Sequence, residues 1–352
     1  MATDTGTAAA SLTALSLAQR AEIIKLARLA HVADDSLVWL GRLEAPVIRA
    51  LREEVAASMF DADRQRFHNM ATASRLIPIP ILVLIIEKFV GPLLCAKVCG
   101  LVPPARAIEI AEKLQLPFLV DACIHLDPKS AQELVAGFPV PLIVDIAREL
   151  ARRGEYVTMG RFLDLIALNA IRPVVDAISD DAQLLHIAFF AESTQRLGDI
   201  IERIAPQRLV EIVGHAANGS ADLWGEALAL ISGVDVGLQQ KLAAITGALP
   251  ESALDNIVRN TQAIGRWDVL LPIVARMTPP LQKRVINLPV IQDNAILADI
   301  IRAVFRLADI RPVILLLAHL DADARGRLDG VARQLGLSLP DPALLAPLID
   351  GR

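Results

Sequence analysis

The stretch 151–162, ARRGEYVTMGRF, collects the residues best equipped for chemistry. It holds Arg152, Arg153, Glu155, Thr158 and Arg161, together with Tyr156, the only tyrosine of the chain. Guanidinium groups recognise carboxylate or phosphate through paired N–H donors, and binding groups concentrate on connecting loops. A ligand or partner site is therefore expected here, with Arg152, Arg153, Tyr156 and Arg161 as its polar rim. Leu184, Leu185, Phe189 and Phe190, from the nearly all-apolar segment 181–192, are expected to supply the apolar area beside it. Apolar area gives affinity, and a few placed charges fix orientation. The plainer alternative is that Arg152 and Arg153 complement the C-terminal dipole of a helix that Gly154 ends.

Other constellations are weaker. Asp121 and His125 stand at i, i+4 and could form half of an acyl-transfer triad. No G-x-S-x-G elbow accompanies them, so pairing at a helix end is the better expectation. Cys95 and Cys99 share a helical face, with Cys123 nearby in sequence, and thiolates bind zinc. Their neighbours Leu93, Leu94, Ala96 and Val98 instead suggest buried thiols acting as small hydrophobes. His186 lies inside an apolar helix and is expected to bond a backbone carbonyl. There is no P-loop and no dinucleotide fingerprint. A protein without catalytic residues or cofactor is expected.

The elements that must position these residues read as helices. Of 352 residues, 54% are hydrophobic and 4% aromatic, with a mean hydropathy of +0.46. Leu, Ile, Val and Ala make up that apolar mass, which suits helix-on-helix packing, and a chain this long buries roughly three quarters of its surface. A net charge of -5 and a pI near 5.7 argue against nucleic-acid binding, which draws on basic faces and stacking aromatics. Three cysteines make no disulfide framework and fit a reducing, cytoplasmic setting. The opening MATDTGTAAA lacks the features of a signal peptide, and 1–13 is expected to be a disordered lead-in.

Residues 76–102, LIPIPILVLIIEKFVGPLLCAKVCGLV, are the most apolar stretch. Glu87, Lys88, Lys97 and three prolines interrupt it, short of the roughly twenty uncharged residues of a membrane span. Two buried helices, near 78–89 and 91–102, are expected, with a membrane-seated hairpin as the alternative.

Helices are expected near 17–31, 45–59 and 61–74. The second of these, with Val47, Ile48, Leu51, Val55 and Met59 on one side and Arg49, Arg52, Glu53 and Glu54 on the other, should bury the first set. From about 105 a two-helix unit recurs. First helices are expected near 105, 128, 157, 180, 206, 235, 266 and 290, and their partners near 117, 141, 167, 194, 223, 250, 279 and 309. Pro117, Pro128, Pro141, Pro206, Pro250 and Pro279 mark starts, where a missing N–H costs nothing. Helices this short are marginal alone and must lean on neighbours. The fold class is all-α, an α-solenoid or superhelix of short helix pairs. An N-terminal helical segment at 14–102 caps a repeat at 103–320, and 321–352 closes it.

EIAEKL (109–114), HLDPKSAQELVAGF (125–138) and SDDAQLLHI (179–187) resemble, in order, repeats of the N-terminal cytoplasmic domain of MgtE-type magnesium transporters. The resemblance spans 105–190. It implies a right-handed superhelix in a bacterial protein, without the CBS domains and membrane helices of that transporter. Family residues that help hold Mg²⁺ fall at Asp180 and Asp181, but the next carboxylate position is Gln183 or Leu184. Hard cations want several oxygen ligands, so no metal site is expected and Mg²⁺ sensing ranks third among functions.

The first expectation is a non-catalytic binding or scaffold protein whose apolar helix faces engage a protein partner or a second copy. The second, resting on the apolar segments 76–102, 181–192 and 310–320, is a carrier or membrane-surface module, peripheral to a membrane, holding a lipid or acyl ligand in the superhelix groove.

Overall fold

A computed structural model describes residue 12 and residues 15–61 and 64–338. The expected lead-in, apart from Leu12, and the Pro-broken stretch 339–350 of the expected closing segment lie outside the described residues. Among the described residues the chain forms 22 α-helices and no strand, so the fold is all-α. It divides into two compact units, one of residues 1–179 and 190–192, the other of residues 180–189 and 193–352. The division falls near residue 180, inside the stretch expected to form one continuous repeat.

Unit 1 holds α1 (Leu17–Ala30), α2 (Ala45–Asp61), α3 (Arg64–Ser74), α4 (Ile79–Ile85), α5 (Gly91–Cys99), α6 (Pro104–Ala111), α7 (Leu116–His125), α8 (Gln132–Ala136), α9 (Val140–Arg152), α10 (Tyr156–Phe162) and α11 (Leu168–Ala177). Packing runs from each helix to the next but one: α3, α5, α7, α9 and α11 form one row, and α4, α6 and α8 another. That is how stacked helix pairs bury a face that neither helix buries alone. α1 opens on a capping box in which Ser16 and Gln19 exchange hydrogen bonds. On α9 the apolar periodicity of Leu142, Ile143, Ile146, Ala147 and Leu150 predicts one inner face; the last four are buried and Leu142 is half-buried. Gly154, at φ +73°, turns the chain, and the Glu155 N–H reaches back to the Leu150 carbonyl.

The helix expected from Pro128 starts later. Asp127 Oδ2 accepts the Ser130 N–H at 3.1 Å, and Ser130 Oγ donates to the Asp127 carbonyl at 3.0 Å, which holds a turn ahead of α8. The expected apolar face, Ala131, Leu134, Val135 and Phe138, is buried all the same.

Unit 2 holds α12 (Asp181–Phe189), α13 (Thr194–Arg203), α14 (Pro206–Asn218), α15 (Ala221–Gly233), α16 (Val236–Gly247), α17 (Glu251–Ile264), α18 (Trp267–Val274), α19 (Pro279–Ile286), α20 (Asn294–Val304), α21 (Arg311–Ile314) and α22 (Ala322–Gln334). The next-but-one ladder continues through α12, α14, α16, α18, α20 and α22, with α15 on α17 beside it. Trp224 is fully buried, and its indole N–H donates to Thr261 Oγ1 at 2.8 Å, tying α15 to α17. The first helix expected near 290 is a 3-10 turn, Pro289–Gln292; α20 follows, capped by Asp293.

Burial overturns one expectation, at 76–102. Leu185, Ile187, Phe189 and Phe190 from 181–192, and Val313, Ile314 and Leu316 from 310–320, are packed inside. The stretch 76–102, expected to be buried, carries the exposed apolar surface instead.

Candidate functional site

The arginine-rich stretch is mostly helix, the end of α9 and the whole of α10, so the loop expected there shrinks to a three-residue turn. Arg152 forks onto Glu149, Nε to Oε2 at 2.7 Å and Nη2 to Oε1 at 2.6 Å. Arg153 reaches Glu149 Oε1 at 2.8 Å and Asp121 Oδ1 on α7 at 2.5 Å. Hydrogen bonds from Arg152 and Arg153 hold the Glu149 carboxyl down at about 2. Both guanidinium groups are thus engaged by carboxylates of the chain itself, the helix-end role foreseen as the alternative. Asp121 is spent on Arg153. Burial pulls the nearby His125 below its ordinary pKa, with His31 adding to that and Asp121 opposing it.

Tyr156 is half-buried at the start of α10. Arg161 lies apart from Arg152 and Arg153 in its contacts, 3.9 Å from Asp127. Its Nε is buried without a hydrogen-bond partner among the described residues. Burial pulls its pKa down, and neighbouring Arg52 adds to that.

Leu184 packs on the core of unit 2, Leu185 is part of that core, and Phe189 and Phe190 are buried. The structure places these residues as packing groups. Asp180 Oδ1 caps α12 by accepting the Ala182 N–H at 2.9 Å, and Asp181 pairs with Arg208 at 2.6 Å. Both carboxylates named by the transporter resemblance therefore have structural partners. His186 Nδ1 meets Glu226 Oε2 at 2.5 Å.

A buried ionic cluster escaped the sequence analysis. Glu22, Lys25 and Arg52 are only 2, 3 and 7% exposed. Arg52 bonds Glu22 Oε2 at 3.1 Å and both oxygens of Glu192 at 3.0 and 3.1 Å. Lys25 bridges the same two carboxylates at 3.2 Å, and Arg49 adds a bond of 3.1 Å to Glu22. The only signal was the placement of Glu22 and Lys25 between Ala21, Ile23 and Leu26 on α1.

The feature most open to a partner is the helical segment Ile79–Cys99 with its approach. Leu76, Ile81, Leu84 and Phe89 are 86, 54, 57 and 81% exposed, and Leu93 and Leu94 are exposed as well. A π-helical turn, Ile86–Val90, separates α4 from α5, and Gly91 at φ +78° breaks the rod there. Glu87 is half-buried, its Oε1 accepting the Gln115 N–H at 2.9 Å. Arg75 and Lys88 are exposed.

The inner side of the same segment walls an apolar cavity of about 240 Å³, with Leu82, Ile86 and Ala96 on one side and Ile110 and Leu119 among its other walls. Cys95, Cys99 and Cys123 line it as free thiols. Burial pushes Cys95 up to about 11 and Cys123 up to about 12; it raises Cys99 still further, with the other two sulfurs adding. The thiols behave as the buried hydrophobes expected of them. Unit 2 encloses a second apolar cavity, of about 260 Å³, between α17, α18, α20 and the 310–328 segment.

No protein-family profile, characterised protein or solved structure matches the chain.

Proposed function

We propose that the protein is a non-catalytic helical binding protein that docks on an anionic membrane surface through α4, the π-helical turn and α5. One observation carries this: six large apolar side chains, Leu76, Ile81, Leu84, Phe89, Leu93 and Leu94, stand exposed on and just before the segment Ile79–Cys99, whose Leu82, Ile86 and Ala96 are buried. Soluble surfaces rarely leave such a set uncovered without a partner.

Lipid is favoured over protein by composition and charge. Protein interfaces are enriched in aromatic, Met and Arg side chains; this face offers Leu and Ile with a single Phe. The charges exposed beside it are Arg75 and Lys88, while Glu87 is half-buried and accepts the Gln115 N–H. Each Lys or Arg near an anionic bilayer contributes about 1 kcal/mol of attraction, and apolar side chains entering the acyl boundary add to it.

The geometry supports lying on the bilayer rather than crossing it. Ile79–Cys99 has 21 residues and is apolar enough for a span, but Gly91 divides it. The longer piece, 79–90, is about 18 Å at 1.5 Å per residue, against about 30 Å of hydrocarbon.

Co-sedimentation with vesicles tests the proposal. Wild-type protein should pellet with phosphatidylcholine vesicles containing phosphatidylglycerol, less with phosphatidylcholine alone, and less again at high salt. The double variant Leu84→Asp, Phe89→Asp changes only exposed side chains and should stay in the supernatant. Wild-type protein that ignores both vesicle types, yet forms an oligomer that this variant dissociates, would assign the face to a second copy and overturn the membrane reading.

A further inference from the structure

The ionic cluster of unit 1 leaves hydrogen-bond donors open, and they carry an inference that does not depend on membrane docking. The Arg52 side chain is only 9% exposed. Its Nε and Nη2 are bonded to Glu22 and Glu192, but its Nη1 has no hydrogen-bond partner among the described residues. Arg161, on α10, makes no side-chain hydrogen bond among the described residues. Its one ionic contact, Nη2 to Asp127 Oδ1 at 3.9 Å, is too long for one. The Arg161 side chain is 21% exposed, yet its Nε is shut off from solvent. Neither Nη of Arg161 nor Nη1 of Arg52 is shut off in that way, so these three donors are open to an entering molecule. Arg52 is the charged neighbour that lowers the Arg161 pKa most, so the two guanidinium groups share one neighbourhood.

Charge, shape and depth narrow the occupant. Four cations, Lys25, Arg49, Arg52 and Arg161, meet three carboxylates, Glu22, Glu192 and Asp127, so one positive charge is left over. Like charges side by side in a partly desolvated place are costly until an anion joins them. The open Nη pair of Arg161 is a two-pronged end that matches the two oxygens of one planar group. A doubly charged, tetrahedral anion would overcompensate the single excess charge and press further oxygens towards Asp127. Arg52 lies too deep to meet a flat protein surface, so the anionic group arrives on a small molecule. We propose that Arg161 and Arg52 form a binding site for a small molecule bearing one carboxylate, which the Arg161 fork grips while Arg52 Nη1 adds a further donor.

Proton saturation-transfer NMR on the full chain at pH 7, with acetate as the probe and chloride holding ionic strength constant, tests this. Saturation should pass from the wild-type protein to the acetate methyl group. Formate should displace acetate at a concentration about fivefold or more below that of sulfate. Arg161→Gln removes fork and charge and should weaken acetate by about tenfold or more, the worth of a charged hydrogen bond. Arg161→Lys keeps the charge without the fork and should also bind more weakly than wild type. Arg152→Gln, at a guanidinium already taken up by Glu149, should bind as wild type does. Asp127→Asn keeps an acceptor for the Ser130 N–H, removes the opposing charge and should tighten acetate about fivefold; it is the second arm if Arg161→Gln does not fold. Absence of acetate binding to the wild type, wild-type affinity in Arg161→Gln or Arg161→Lys, sulfate displacing acetate as well as formate does, or an unchanged affinity in Asp127→Asn would each overturn the assignment.

Discussion

Arg52 Nε donates to Glu22 Oε2 at 3.1 Å, and both side chains are buried. The pair joins α2 to α1 where the amphipathic pattern of α2 put Arg52 on the solvent side. The buried residue of the expected apolar face is Ile48, while Val47 and Leu51 are exposed. α2 is therefore rotated about its axis relative to the expectation, and a carboxylate on α1 makes that rotation affordable. A buried pair of this kind is not strong evidence of net stabilisation, but removing one partner strands the other.

The first prediction follows from that asymmetry. Glu22→Ala leaves Lys25 and Arg52 with one carboxylate fewer and should destabilise unit 1 by about 3–5 kcal/mol, read as a lower midpoint in urea denaturation. Arg152→Ala, at an exposed helix end, should leave the midpoint unchanged within error. Equal midpoints for Glu22→Ala and wild type would show that the cluster does not hold α1 to α2.

Acid should loosen the same cluster. Burial alone would raise the Glu192 carboxyl, but Lys25, Arg52 and Arg49 outweigh it and hold its pKa below the ordinary value. A carboxyl whose folded pKa is depressed stabilises above its unfolded value, about 4.3, and that contribution is lost as pH falls through the folded value. Glu149, held at about 2, acts in the same direction, with its share screened by solvent. The urea midpoint should fall slightly between pH 7 and about 5, where the unfolded chain protonates His125 before the folded one does, and drop further below about 4. Glu192→Gln should show a smaller loss between pH 7 and pH 3. A midpoint that rises on acidification from pH 5 to pH 3 would contradict this sign.

The thiols give a third test. Cys95, Cys99 and Cys123 line one apolar cavity, and all three are pushed up by burial, Cys95 to about 11 and Cys123 to about 12. At pH 8 the thiolate fraction is minute, so a disulfide exchange reagent should label the native protein slowly and the urea-unfolded protein at once. Rapid labelling of three thiols per native chain would show that the cavity stands open.

Much of the helix framework was legible because its signals are local. Pro117, Pro141, Pro206 and Pro279 all stand at helix starts, where proline is tolerated for a backbone reason that needs no tertiary contact. Burial was less legible, since it depends on which helix lies opposite. Phe89 and Leu84 are apolar in a run that looks like core, and only the packing shows that nothing covers them. Arg152 and Arg153 looked like a binding rim because the sequence does not show Glu149 and Asp121 closing on them.

The most direct test of membrane docking places a reporter on the exposed face. Phe89→Trp keeps an aromatic side chain at an exposed position of the π-helical turn. With phosphatidylglycerol-containing vesicles, its emission should shift to the blue relative to the wild-type background and be quenched by lipids brominated along the acyl chain. The effect should fade at about 0.5 M salt, where the screening length shrinks to a few Å. Emission from Phe89→Trp that is the same with and without these vesicles would contradict the central claim.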